Sequence, residues 1–74
     1  MPKTYSGKQV IKILCKIFGF TIVSQKGSHV KLQRRDKSRT VTTIVPVHRE
    51  LAHGTLLSIL DLAEIEEENF KKAP

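Results

Sequence analysis

Gly27-Ser28-His29-Val30 sets a histidine directly after a two-residue Gly-Ser turn, at the first position of a segment that alternates apolar and polar residues. Histidine, at about 6.5 unperturbed, exchanges protons near neutral pH with little tuning. Glycine takes the positive φ of a primed hairpin turn without a Cβ clash, and it lets another backbone, such as a sugar-phosphate chain, approach closely. In RNA the adjacent 2′-hydroxyl is an internal nucleophile. Removing its proton, or protonating the leaving oxygen, is then a route to cleavage that needs no metal. One histidine plus cations that stabilise phosphate charge is a sufficient minimum for that chemistry. The plain alternative is an exposed strand histidine with no chemical task.

The remaining chemistry-bearing residues narrow the choice. His48 follows Pro46-Val47 at a strand exit, where it either fixes the loop through hydrogen bonds or reaches a substrate as a secondary group. His53 precedes Gly54 and reads as a loop residue, since an imidazolium is slightly unfavourable at a helix N-terminus. The three histidines lack the His-x-x-x-His spacing of a helical metal site, so no metal and no cofactor are expected. The lone Cys15 lies beside an apolar arc and reads as core rather than nucleophile, and a single cysteine suits a reducing, cytoplasmic setting. The acids form no evident catalytic pair, and no Gly-rich phosphate loop is present.

Charge is distributed unevenly. Residues 1–60 carry 11 Lys and Arg against two acids, Asp36 and Glu50, whereas residues 61–74 carry two Lys against five acids. The basic part is therefore the partner-facing part, and nucleic acid is the expected polyanion. A membrane partner is disfavoured. The longest apolar runs are a few residues, against about 20 needed to span a bilayer, and no basic helix face opposes bulky aromatics. Seventy-four residues suggest one domain, 1–74, with one modest core.

The elements that must position these groups follow from periodicity. Ser6 to Phe18 reads as a helix: Ser6 and Gln9 form a capping-box pair, Tyr5 and Val10 a hydrophobic staple, and Gly19 a left-handed stop. Val10, Ile11, Ile13, Leu14, Ile17 and Phe18 share one arc, with Lys8, Lys12 and Lys16 opposite. Phe20 to Lys26, His29 to Arg34 and Arg39 to Val45 read as strands, joined by Gly27-Ser28 and by a four-residue turn, Arg35 to Ser38. Val30 and Leu32 then face the core, and His29, Lys31 and Gln33 the open side. Pro46 ends the third strand. Gly54-Thr55 opens a second helix that buries Leu56, Ile59, Leu60 and Ala63, and Phe70 anchors a short helical tail. The order is α-β-β-β-α, an α+β layer of helices on one face of a small antiparallel sheet.

Ser6-Gly7-Lys8, Gly19-Phe20, Gly27-Ser28-His29-Val30, Val45-Pro46-Val47-His48 and Gly54-Thr55-Leu56 with Ile59-Leu60, in this order, resemble the HicA family of toxins. The resemblance spans nearly the whole chain. It implies a double-stranded-RNA-binding-domain-like fold, cleavage of mRNA with His29 as the catalytic residue, a site shaped by Gly27 and Ser28, and neutralisation by a HicB-type antitoxin protein. The helix after Gly54 departs from the family in lacking Arg or Lys around Ser58, so that helix is expected to add little to RNA binding. Lys26 and Lys31 are the cations nearest to His29, and Lys8, Lys12, Arg34, Arg35, Lys37 and Arg39 extend the basic surface. With only Tyr5 and three Phe, all three expected in the core, base stacking and sequence selectivity are expected to be weak. Two other functions fit the same charge: a non-catalytic RNA-binding module, and a subunit whose basic face serves an acidic protein.

Overall fold

The computed structural model describes residues 4–73. Helix α1 spans Gly7–Ile17, and its entry is fixed as the capping box requires: the Gln9 N–H donates to Ser6 Oγ at 3.1 Å and the Ser6 N–H to Gln9 Oε1 at 2.8 Å. Tyr5 and Val10 are both buried, completing the staple. Gly19, at φ 77°, turns the chain out, and the Phe20 N–H reaches back to the Leu14 carbonyl at 3.0 Å. Val10 and Leu14 are fully buried, Ile11, Ile13 and Phe18 pack partly against the core, and Ile17 stays exposed at the end of the arc.

Strands β1 (Thr21–Lys26), β2 (His29–Asp36) and β3 (Arg39–Pro46) form an antiparallel sheet in the order β1-β2-β3. β2 runs two residues further than the sequence pattern suggests. Its ladder with β3 continues through Arg35↔Thr40 to Asp36↔Arg39, which sets opposite charges across from each other. The connecting turn is therefore only Lys37-Ser38, and Lys37 adopts φ 57°, a left-handed conformation that a lysine occupies only under constraint. A bulge at Val23 separates the Ile22↔Leu32 and Ser24↔Lys31 pairs in β1.

Helices cover one face of the sheet. Val30 and Leu32 of β2 and Val41, Thr43 and Val45 of β3 are buried beneath them. Helix α2 (His53–Ala63) buries Leu56, Ile59, Leu60 and Ala63, and the Thr43 hydroxyl donates to the Ile59 carbonyl at 2.8 Å, tying the helix to β3. α2 begins at His53, one residue before Gly54, with Ala52 as a cap that offers no side-chain acceptor. Helix α3 (Glu67–Lys72) follows a left-handed Glu64, and its Phe70 is fully buried, edge-on to Tyr5 at 5.1 Å and stacked on Phe18 at 6.3 Å. Each such large apolar side chain contributes about 1.5–3 kcal/mol on burial, so the tail is held by its phenylalanine. Glu67 and Glu68 start α3 and Lys71 and Lys72 end it, charges that match its dipole. The α-β-β-β-α order and the α+β layering are those expected from the sequence. Among the described residues, no helix is long and apolar enough to cross a membrane.

Candidate nucleic-acid interface

The hairpin between β1 and β2 is the tight one that Gly27-Ser28 calls for. Lys26 pairs with His29 across it, Gly27 takes φ 60° and Ser28 does not take a positive φ, the pattern of a type II′ turn. The Gln25 side-chain amide donates to the Gly27 carbonyl at 3.1 Å. The Ser28 carbonyl accepts the Val47 N–H at 2.6 Å, so the turn is joined to the exit of β3. His29 is thereby fixed at the first rung of β2, paired to Lys26 on one side and to Pro46 on the other.

Strand alternation does the rest. His29 and Lys31 point away from the helices, and their side chains line a shallow cleft of about 350 Å³ together with Ser24, Lys26 and Ile44. The lining comprises two lysines, a hydroxyl, an imidazole and one apolar side chain, and none of these residues is acidic. The charge of such a cleft suits an anion such as a phosphate group, and an imidazole lies among its lining side chains. Ser24 and Ile44 belong to the cleft although the sequence reading did not single them out. Ile44 carries a visible signal, an apolar residue at an open-face position opposite Lys31, whereas Ser24 arrives there only because of the bulge at Val23.

Other predicted residues are distributed less simply. Lys8 lies not with His29 but in a second cleft, with Ser6, Val47, His48 and Arg49. Lys12 is exposed on α1 and lines neither cleft. Arg34 sits on the helix-side face, half-buried, with its guanidinium 5.0 Å from the Phe20 ring centre and Nη1 donating to the Phe18 carbonyl at 3.4 Å; it braces the end of α1. Arg39 is held by Glu64 in a two-pronged ion pair, which lowers the Glu64 carboxyl pKa below its ordinary value. Neither arginine is as free for phosphate as the charge pattern suggests.

His53 is the first helical residue of α2, with Nε2 2.7 Å from a Glu67 carboxylate oxygen. Lys71 is 2.9 Å from that same oxygen. These partners, His53 first, lower the Glu67 pKa. Burial raises the Cys15 thiol, which disfavours the thiolate. A larger open hollow of about 530 Å³ lies between α2 and the loop before α3, but Asp61, Glu66 and Glu67 line it and no lysine or arginine does. Its charge repels a polyanion, so the His29 cleft is the better site despite its smaller size. Among the described residues, no three His, Cys, Asp or Glu side chains converge as a metal site.

Residues 7–65 match the family model of the HicA toxin of bacterial toxin–antitoxin systems. The chain belongs to that family. No curated protein matches it. As a HicA-family member, it is the toxin of a toxin–antitoxin pair and has an antitoxin counterpart. The matched segment contains α1, the whole sheet and α2, hence every residue lining the His29 cleft and all of those lining the second cleft except Ser6; α3 lies outside it.

Proposed function

We propose that this HicA-family toxin is a metal-independent endoribonuclease that cleaves mRNA in the cytoplasm, with residues 1–74 acting as one unit and His29 as the catalytic residue. The observation that carries this reading is the convergence of His29, Lys26 and Lys31 on one open cleft free of acids among its lining residues. In the base role, His29 takes the proton of a 2′-hydroxyl while the 2′ oxygen forms its bond to phosphorus. The bond from phosphorus to the 5′ oxygen breaks, that oxygen takes a proton from water, and the products are a 2′,3′-cyclic phosphate and a 5′-hydroxyl. Lys26 and Lys31 offset the charge that grows on the non-bridging oxygens. Gly27 and Ser28 set the turn that fixes His29 and let the RNA backbone come near it. A HicB-type antitoxin neutralises the toxin by covering this open face.

Replacing His29 by alanine leaves an exposed strand position without its proton carrier. The expected result is an unchanged melting temperature, loss of about 10²- to 10⁴-fold in RNA cleavage, and loss of growth inhibition. Cleavage at the parental rate by His29→Ala, measured in EDTA, would remove the residue from the mechanism. Full-length RNA after prolonged incubation with the parental protein, together with salt-sensitive retention, would instead identify a non-catalytic RNA-binding module.

A further inference from the structure

The second basic cleft, about 230 Å³ and lined by Ser6, Lys8, Val47, His48 and Arg49, has no place in the cleavage step. Three nitrogen-bearing side chains face it, and none of these lining residues is acidic. Its walls come from two segments that the fold brings together. The N-terminus of α1 supplies Ser6 and Lys8, and the chain leaving β3 supplies Val47 to Arg49. The Gly7 N–H donates to the His48 carbonyl at 2.8 Å, and the absence of a Cβ at Gly7 permits this approach. The same exit segment is bonded to the catalytic turn through the Val47 N–H and the Ser28 carbonyl at 2.6 Å. The two clefts thus lie at one end of the sheet: His29 pairs with Pro46, and His48 follows two residues later.

We infer that this cleft is a second phosphate subsite, which holds a backbone phosphate of the same RNA strand outside the scissile linkage through Lys8 and Arg49, with His48 as an additional donor. The helix end is not the source of the affinity. The Gly7 and Gln9 N–H groups are already taken by His48 and Ser6, so the side chains supply the charge. The inference shares with the proposed function the choice of RNA as ligand, but not the requirement that His29 cleave it. A phosphate gripped here orders the strand across the turn before reaction, which lowers the entropic cost of placing the scissile group at His29. Arg49 is suited to this role because a guanidinium offers two parallel donors to a phosphate.

The test uses the full chain and a six-nucleotide single-stranded RNA with every 2′-hydroxyl methylated, which binds but cannot be cleaved. Binding is measured from 50 mM to 300 mM salt for the parent, Arg49→Gln, Lys8→Gln and Lys72→Gln. Lys72, in α3 and outside both clefts, controls for the loss of one positive charge. Each lost single-strand phosphate contact reduces the slope of log affinity against log salt by about 0.7, so that the affinity ratio of parent to variant shrinks by about 3.5-fold between 50 mM and 300 mM salt. Arg49→Gln and Lys8→Gln are each expected to show that reduction, and Lys72→Gln to match the parent. Slopes for Arg49→Gln and Lys8→Gln equal to that of Lys72→Gln would overturn the subsite. A reduced slope in a protein that fails to cleave any unmethylated RNA would uphold the subsite and reject the ribonuclease reading.

Discussion

Gly7 offers a quantitative test of how the site is assembled. An added Cβ would lie 2.8 Å from Val47 Cα, 3.0 Å from the Pro46 carbonyl carbon and closer still to the Pro46 carbonyl oxygen, all backbone atoms that cannot rotate away. Relief requires α1 to move away from the β3 exit. Such overpacking costs about 1–3 kcal/mol, and loss of the 2.8 Å bond from Gly7 to His48 adds about 1 kcal/mol. Alanine recovers at most about 1 kcal/mol over glycine through helix propensity. The net is a destabilisation of about 2 kcal/mol, which in a domain of this size lowers the melting temperature by about 10 °C. Gly54, in α2, has no atom within 4 Å of an added Cβ, so Gly54→Ala is expected to raise the melting temperature slightly. The pair is measured by thermal unfolding followed by circular dichroism. Gly7→Ala melting at or above the parent, alongside Gly54→Ala, would refute the packing role assigned to Gly7.

Lys37 is held at φ 57°, so Lys37→Gly is expected to stabilise the protein by about 1 kcal/mol, read as a higher midpoint in urea. Thr43 is completely buried and its hydroxyl bonds the Ile59 carbonyl; Thr43→Val keeps the shape but loses about 1 kcal/mol, with an unchanged denaturant slope. Glu67 has a pKa lowered by His53 and then Lys71, so its contribution to stability is complete above the ordinary carboxylate range and disappears as pH falls through its lower folded value. Melting temperatures measured from pH 6 down to pH 2.5 should therefore fall less steeply for Glu67→Gln than for the parent.

The legible parts of the fold are those in which local chemistry has one solution. Ser6 and Gln9 can only form the capping box, Gly19 takes the left-handed stop, and a Gly-Ser pair between two alternating runs specifies a tight hairpin. The period of two then places His29 and Lys31 on the side opposite Val30 and Leu32. Less legible are features without a local marker. The Lys37-Ser38 turn has no glycine to announce it, and its left-handed residue follows from the ladder paired through Asp36↔Arg39. The tie of His53, at the start of α2, to Glu67 fourteen residues away along the chain likewise has no local marker.

The candidate site divides in the same way. The sequence alone determined that a histidine stands after a glycine turn, that the first sixty residues are strongly basic, and that helices cover one face of a three-stranded sheet, since each follows from residue type, spacing or count. Packing distant in sequence selects which cations stand open beside that histidine, Lys26 and Lys31. Arg34 lies over Phe20 and Arg39 is paired with Glu64, because contacts distant in sequence claim them. Lys8 is brought to Arg49 and His48 by a helix packing that only a glycine permits. Charge composition is a sum over the chain, whereas a binding cleft depends on which side chains packing leaves free and side by side.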